Sequence, residues 1–516
     1  MRTVPTKPPS KAVQIVWGWH RGKPDIQHVG SGRTDAEIEL LKAAAHRIIA
    51  GQDQPELDLD LQPLDAEKLA KPTRFGAGSS TGVTIGDLRM GVLIDALTAL
   101  YKGLGFDDAT DSDQVFYQQV IARLVEPTSK LDSLRVIEEI GLEPVSYATV
   151  KRRLPTYATE EFRHRLAEAL AARADLGPHA LVLFDVSTLY FETDQGDGFR
   201  EPGFSKERRL EPQITIGLLT DAHGFPLKVT AFEGNKAETK TMIPVLQEFM
   251  ATHQLKDITV VADAGMVSDA NRKAIETAKL SYIIGEKLPE VAYPIRRWME
   301  DHPGQAPANG MILSWPVYDG PAGARRKAIT YYQYREARAK RTLRGIDQQV
   351  AKAKKAVAGK APVKRNRFVG ITGEQRFLKH DLEAKARDLA GWKAYITNLT
   401  PESASADYVI GAYHQLWHIE KAFRISKHDL AARPIFHRQK DSIDAHLSIV
   451  TAALAVAQRL EAITGWSRKK FITTARKYRQ ATVRINGHQI NADPEGIPED
   501  LTEILTKIED ATAAPY

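Results

Sequence analysis

The chain has 516 residues, 43% hydrophobic and 26% charged, which is the balance of a soluble globular protein and too long for one ordinary core. There is no cysteine, which excludes a disulfide framework and any thiolate metal site and suits a reducing cytosol. The net charge of +6 is unevenly placed: residues 325–367 carry 15 Lys and Arg against Glu336 and Asp347, leaving the remainder at −7, and a cationic segment on an acidic body is placed to meet a polyanion.

The start, MRTVPTKPPSKAVQIVWGW, has no apolar run suited to a signal peptide. Residues 1–72 read as a small α+β region and linker. The strands KAVQIVWGWHR and DIQHVGSG flank Gly22-Lys23-Pro24, the helix TDAEIELLKAAAHRII opens with a capping pattern, and the stretch from Gln52 to Pro72 is acidic and Pro-bearing. Residues 84–174 read as helical, with breaks at Gly103, Pro127 and Pro144. Within them LDSLRVIEEI, GLEPVS and YATVKRRL match a helix-turn-helix whose second helix bears Lys151, Arg152 and Arg153, a pattern that serves DNA reading and plain bundle packing equally.

The character changes at ALVLFDVSTLYFE. With PQITIGLLTD and FPLKVTAFEGN it gives three strands, followed by the helix TKTMIPVLQEFMATH and the strand DITVVADAG. This predicts an α/β fold with a mixed sheet covered by helices. Asp185 and Asp263 lie in or at the end of its most apolar strands, where an ionised carboxylate needs a partner; a turn or cap role suits Asp263, which precedes Gly265 by two residues, better than Asp185. Further on, GMILSWPVYDG and KAITYYQYR read as strands before a cationic helix on which Arg338, Lys340, Arg341 and Arg344 cluster. YHQLWHIEKAFRISKHDL is an amphipathic helix that sets Glu420 among apolar residues, and AHLSIVTAALAVAQRL is a buried core helix too short and too polar to span a bilayer.

Two strand carboxylates and a helical one make an oxygen-rich set suited to Mg²⁺ or Mn²⁺, which are used in pairs on phosphate esters. Tyr413, Glu420 and Lys427 recur every seven residues and share a helical face. Here the chain resembles the DDE transposases of bacterial insertion sequences, which have a ribonuclease H-like core. More narrowly, it resembles the group whose third acid lies in a motif of Tyr, two residues, Arg, three residues, Glu, six residues, Lys, after a β-rich insertion. Tyr413, Glu420 and Lys427 fit that spacing, whereas position 416, the Arg slot, holds Leu416. The strings GFSKERRLEPQITIGLL, FEGNKAET and ARPIFHRQKDSIDAHL extend the likeness from about Ala180 to Leu460.

The resemblance implies a catalytic core in two parts, residues 178–287 and 391–465, an insertion over residues 288–390 and a C-terminal region over residues 466–516. It implies two divalent ions held by Asp185, Asp263 and Glu420, with DNA cleavage and strand transfer at the ends of an insertion sequence. Tyr413 and Lys427 would contact DNA, and Arg424 or His418 would supply the charge missing at Leu416. The partners implied are double-stranded terminal repeats and target DNA, bound by a homodimer, with no membrane; the setting implied is a bacterial cytoplasm, with the protein on the nucleoid. Three rival readings are a transposase-derived DNA-binding protein without catalysis, a ribonuclease H-like nuclease without strand transfer, and a glycosidase using Asp185 and Glu192. The last leaves the cationic segment unexplained.

Overall fold

The computed structural model describes residues 2–5, 11–20, 23–32, 38, 41–42, 45, 84–174, 176, 180–191, 195–203, 211–236, 240–253, 255, 258–265, 269–319, 326–360, 362, 366–373, 375–432, 439–485, 488–492 and 494–513. They fall into two units, Met1–Ser80 and Thr81–Tyr516. In the first, β1 (Arg2–Pro5), β2 (Lys11–His20) and β3 (Lys23–Gly32) form an antiparallel sheet in that order. The expected hairpin is therefore present. Of the helix read after it, only residues 38, 41, 42 and 45 are described; Ile38 and Ala45 pack on Val13 and Ile15. The linker from Gln52 to Pro72 lies outside the described residues.

The second unit opens with a departure from the helical reading of residues 84–174. β4 (Thr84–Arg89) is a strand, the edge of a three-stranded antiparallel sheet whose other members, Gln480–Ile485 and His488–Ala492, come from the far end of the chain. TIGDLR has no helical stripe of its own, and pairing with QATVRI supplies its backbone partners. Beyond Met90 the helices follow as read, including Ser133–Glu139 and Tyr147–Arg153 on either side of the GLEPVS turn. They share one hydrophobic core with the long helix Lys440–Thr464. That core helix is the one helix among the described residues long and apolar enough to cross a membrane, and 72% of its apolar window is buried inside the fold.

The large sheet has eight strands. β5 (Leu181–Tyr190), β6 (Gln213–Asp221) and β7 (Pro226–Glu233) run as an antiparallel meander. The helix Met242–His253 leads to β8 (Thr259–Ala262), parallel to β5, and the helix Asp269–Thr277 leads to β9 (Ser281–Glu286), parallel to β8. Two crossovers through helices are what parallel neighbours require. This mixed sheet flanked by helices is consistent with a ribonuclease H-like core. The strands β10 (Ile312–Asp319) and β11 (Arg326–Tyr334) extend the same sheet, while β12 (Val369–Thr372) and β13 (Gln375–Leu378) form a separate hairpin beside the basic helix Glu336–Val357. β14 (Trp392–Thr397) then inserts between β9 and β11, giving the order β10-β11-β14-β9-β8-β5-β6-β7.

Strand alternation sorts the side chains. Val182, Phe184, Val186, Val260 and Ala262 face the helices Met242–His253 and Asp269–Thr277. Leu183, Val261 and Ile283 face the opposite layer, made by the core helix and by the Glu420 helix (Leu416–Arg424). Odd-numbered positions on β5 and β8 therefore look towards Glu420.

Candidate active site

Leu183 pairs with Val261 in the parallel β5/β8 ladder, so continuing the register by two residues sets Asp185 beside Asp263 on that same face. β8 continues onto β9 through Ala262 and Ile284, and β9 onto β14 through Gly285 and Tyr395. Continued one residue past the end of β8, the register sets Asp185, Asp263, Gly285 and Tyr395 level with one another. Asp185 is half-buried and accepts from the Val186 backbone N–H at 2.8 Å; Asp263 is exposed just past the end of β8.

The segment read as one helix from Tyr413 to Leu430 is three pieces. One helix ends at His414, the Glu420 helix follows after Gln415, and the chain widens into a π-helical turn over Ile425–Asp429, a feature frequent at functional sites. The Glu420 helix packs against β5, burying Leu416, Ile419 and Ala422 and turning Trp417, Glu420 and Arg424 outward. Its two flanks are tied to the sheet. The Tyr413 hydroxyl donates to Asp263 Oδ1 at 2.7 Å, and Lys427 Nζ donates to Ser187 Oγ, two residues beyond Asp185 on the same face of β5. Glu420 thus sits between anchors on the two aspartate-bearing strands. It is exposed and makes no hydrogen bond or ion pair among the described residues.

The surroundings are electrostatically coupled. Burial, then the hydrogen bond and charge of Asp263, hold the Tyr413 phenol protonated far above its usual range, with a further contribution from Glu420. Lys393 on β14 lies over the Tyr413 ring, 4.3 Å from its centroid; burial lowers its pKa while Asp263 and Glu420 favour its charge. Among the described residues no group of three or more His, Asp or Glu side chains stands close enough together to hold a metal ion.

A family model described as "Transposase DDE domain" matches residues 177–456, more than half of the chain and the span that holds all three acids. The chain belongs to the DDE transposase family. A comparison with curated proteins gives no match. Among solved structures, a piggyBac transposase synaptic complex with hairpin DNA, determined by cryo-EM, matches at a TM-score of 0.34 and 12% identity over 75% of this chain and 69% of that one; so weak a likeness decides nothing about this transposase.

The remaining expected DNA contacts are scattered. Arg338, grouped in sequence with three exposed neighbours, is instead half-buried and donates to the backbone carbonyls of Gln333 and Gly391, each at 3.2 Å. Lys340, Arg341 and Arg344 are exposed on the basic helix, with Lys340 paired to Glu336 at 2.6 Å. Its opposite face, Ile346, Val350 and Ala353, packs on Phe368 and Val369. In the helix-turn-helix-like segment Lys151 and Arg152 are exposed, whereas Arg153 binds Asp113, whose other oxygen caps the helix Gln114–Val125. Leu416 is part of the main core. Arg424 is exposed and makes no ion pair with Glu420. Sequence reading passes over Ser187, Gly285 and Lys393. The signal for Lys393 is its place in WKAYIT, on the same strand face as Tyr395 and Thr397.

Proposed function

We propose that this transposase cleaves and joins DNA at the ends of an insertion sequence by metal-assisted phosphoryl transfer, with Asp185, Asp263 and Glu420 as its catalytic carboxylates. The observation that carries the reading is the parallel β5/β8 register, Leu183 beside Val261, whose continuation by two residues sets Asp185 level with Asp263, together with the anchors Tyr413–Asp263 and Lys427–Ser187 on either side of the Glu420 helix. The donor set is oxygen only, which suits Mg²⁺ or Mn²⁺, and among the described residues Glu420 makes no hydrogen bond or ion pair that a metal would have to displace. Two such ions, bound by these three residues, would lower the pKa of water and offset charge on the leaving oxygen.

The chain's own part is positioning. Tyr413 holds the Asp263 carboxylate in one orientation, and Lys427 braces the Glu420 segment on β5. Duplex DNA, namely the element's terminal repeats and a target, would lie across the exposed acids. The exposed face of the basic helix, with Lys340, Arg341 and Arg344, would follow its phosphates. Lys151 and Arg152 would add contacts from the helical region, and action on paired ends would take two copies of the chain.

The test uses duplexes that carry the DNA bordering the coding gene on both sides, incubated with protein and Mg²⁺. Asp185→Asn, Asp263→Asn and Glu420→Gln should each slow cleavage by about 10³-fold or more while leaving DNA binding largely intact. Cleavage at the parent rate by any of them removes that residue from the site. Cut ends without joined products would favour the nuclease reading over strand transfer.

A further inference from the structure

We propose that Lys393 is the cation that grips the scissile phosphate, an inference that rests on the phosphoryl-transfer reading of the Asp185, Asp263 and Glu420 site. Three carboxylates around one phosphodiester are mutually repulsive, and a fixed positive charge at the reacting centre offsets that repulsion most strongly where water is scarce. The cations at the site differ in what they already bind. Arg338 donates through Nη1 to the Gln333 and Gly391 carbonyls, and Lys427 donates to Ser187. Position 416 is apolar and packed in the core.

Lys393 and Arg424 differ from these, and of the two Arg424 is exposed whereas Lys393 is half-buried against Tyr413. The strand of Lys393, β14, is one removed from the aspartate-bearing β8, and alternation along WKAYIT puts it on the face of the sheet that Tyr395 shares. The ammonium rests 4.3 Å from the Tyr413 centroid and 5.7 Å from that of Tyr395. Among the described residues it makes no hydrogen bond or ion pair, although it is half-buried. Its three N–H donors are therefore unspent, held over the ring whose hydroxyl binds Asp263. Aromatic contact fixes the side chain before a substrate arrives, which lowers the ordering cost of gripping an oxygen.

In the cleavage step the oxygen of water bonds to phosphorus, the bond from phosphorus to the 3′ oxygen breaks, and that oxygen leaves with a proton that the water releases. Lys393 takes no part in that proton balance; its ammonium donates hydrogen bonds to a non-bridging oxygen. A compact ammonium with rotating donors follows such an oxygen as the geometry at phosphorus changes.

Lys393→Met keeps an apolar stem against Tyr413 and deletes the charge; Lys393→Arg keeps the charge. On the duplexes described above, in Mg²⁺, Lys393→Met should cleave about 10²-fold more slowly or worse. Its DNA binding should lose roughly 0.9 in the slope against log salt, the change expected when one phosphate is no longer neutralised. Lys393→Arg should restore the slope and part of the rate, and both variants should melt with the parent. Cleavage by Lys393→Met at the parent rate, beside an inactive Asp185→Asn, overturns this proposal alone. So does a slow Lys393→Met whose salt slope equals the parent's and whose melting temperature has fallen, because that is a packing defect. Parent-rate cleavage by Asp185→Asn overturns the reading of the site, and the proposal with it.

Discussion

The Tyr413 hydroxyl reaches Asp263 by crossing the one position in the row that carries no side chain. Gly285 lies between Asp263 and Tyr395 in register, and a Cβ built there would stand 2.5 Å from Tyr413 Oη and 2.8 Å from two of its ring carbons. Those are separations that real Cβ atoms do not tolerate, and sheet backbone on both sides prevents Gly285 from yielding. The glycine is thus a space requirement of the phenol that orients a carboxylate.

This gives a graded pair of variants. Tyr413→Phe removes only the hydroxyl and should lower stability by about 1 kcal/mol, the exposure of Asp263 keeping the loss modest. Cleavage should fall because Asp263 loses its orienting partner. Gly285→Ala displaces the whole ring and should cost about 1–3 kcal/mol, with a larger drop in cleavage. Thermal denaturation of both proteins checks the order, and a Gly285→Ala protein that melts with the parent would show that Tyr413 has room to move.

Metal binding should be visible without DNA. If Asp185, Asp263 and Glu420 hold divalent ions only in the folded state, Mg²⁺ at about 100 times its Kd stabilises the protein by about 2.7 kcal/mol. EDTA should reverse the gain, and Asp185→Asn should reduce it. Calorimetric melting with and without Mg²⁺ measures this directly, and equal Mg²⁺ responses from the parent and from Asp185→Asn would take Asp185 out of the metal set.

Much of this site is legible in the sequence because its parts have strong local signals. Apolar strands interrupted by Asp185 and Asp263 announce a carboxylate that must face something, and the seven-residue recurrence of Tyr413, Glu420 and Lys427 survives the breaks in the helix. What is not legible depends on pairing across long separations. Thr84–Arg89 is a strand only because Gln480–Ile485 returns to it, and Asn486-Gly487, the residue pair that most favours a tight hairpin, is the overlooked sign of strands near the C-terminus. Lys393 and Gly285 acquire meaning only once β14 and β9 are known to be neighbours. Charge density, likewise, does not say which arginine of the basic helix turns inward.

That inward turn separates two effects. Replacing Lys340, Arg341 and Arg344 together by Gln should leave the fold intact and flatten the salt dependence of DNA binding by roughly 0.9 for each phosphate left without its cation. Arg338→Ala should act differently, destabilising the protein by about 1–3 kcal/mol because the Gln333 and Gly391 carbonyls lose a charged donor. Binding isotherms over a salt series, set beside melting curves, distinguish the two. An unchanged slope for the triple variant would make that face of the helix merely solvated.

The last expectation concerns Leu416, which stands where the resemblance places a phosphate-binding arginine. Its side chain packs in the main core with Tyr413, Ile419 and Ala422, so restoring the motif by Leu416→Arg should not restore a phosphate grip. It should crowd the core and bury a charge, lowering stability by about 1–3 kcal/mol from overpacking alone. Arg424, one turn beyond Glu420, is exposed and free of any ion pair with it, and so is open to a phosphate further along the strand. Arg424→Ala should weaken DNA binding and leave the melting temperature unchanged, whereas Lys393→Met should act mainly on the rate of cleavage. A Leu416→Arg protein that melts with the parent and binds DNA more tightly would mean that this side of the helix faces the substrate. A destabilised one would leave Lys393 and Arg424 to share the charge the motif otherwise assigns to position 416.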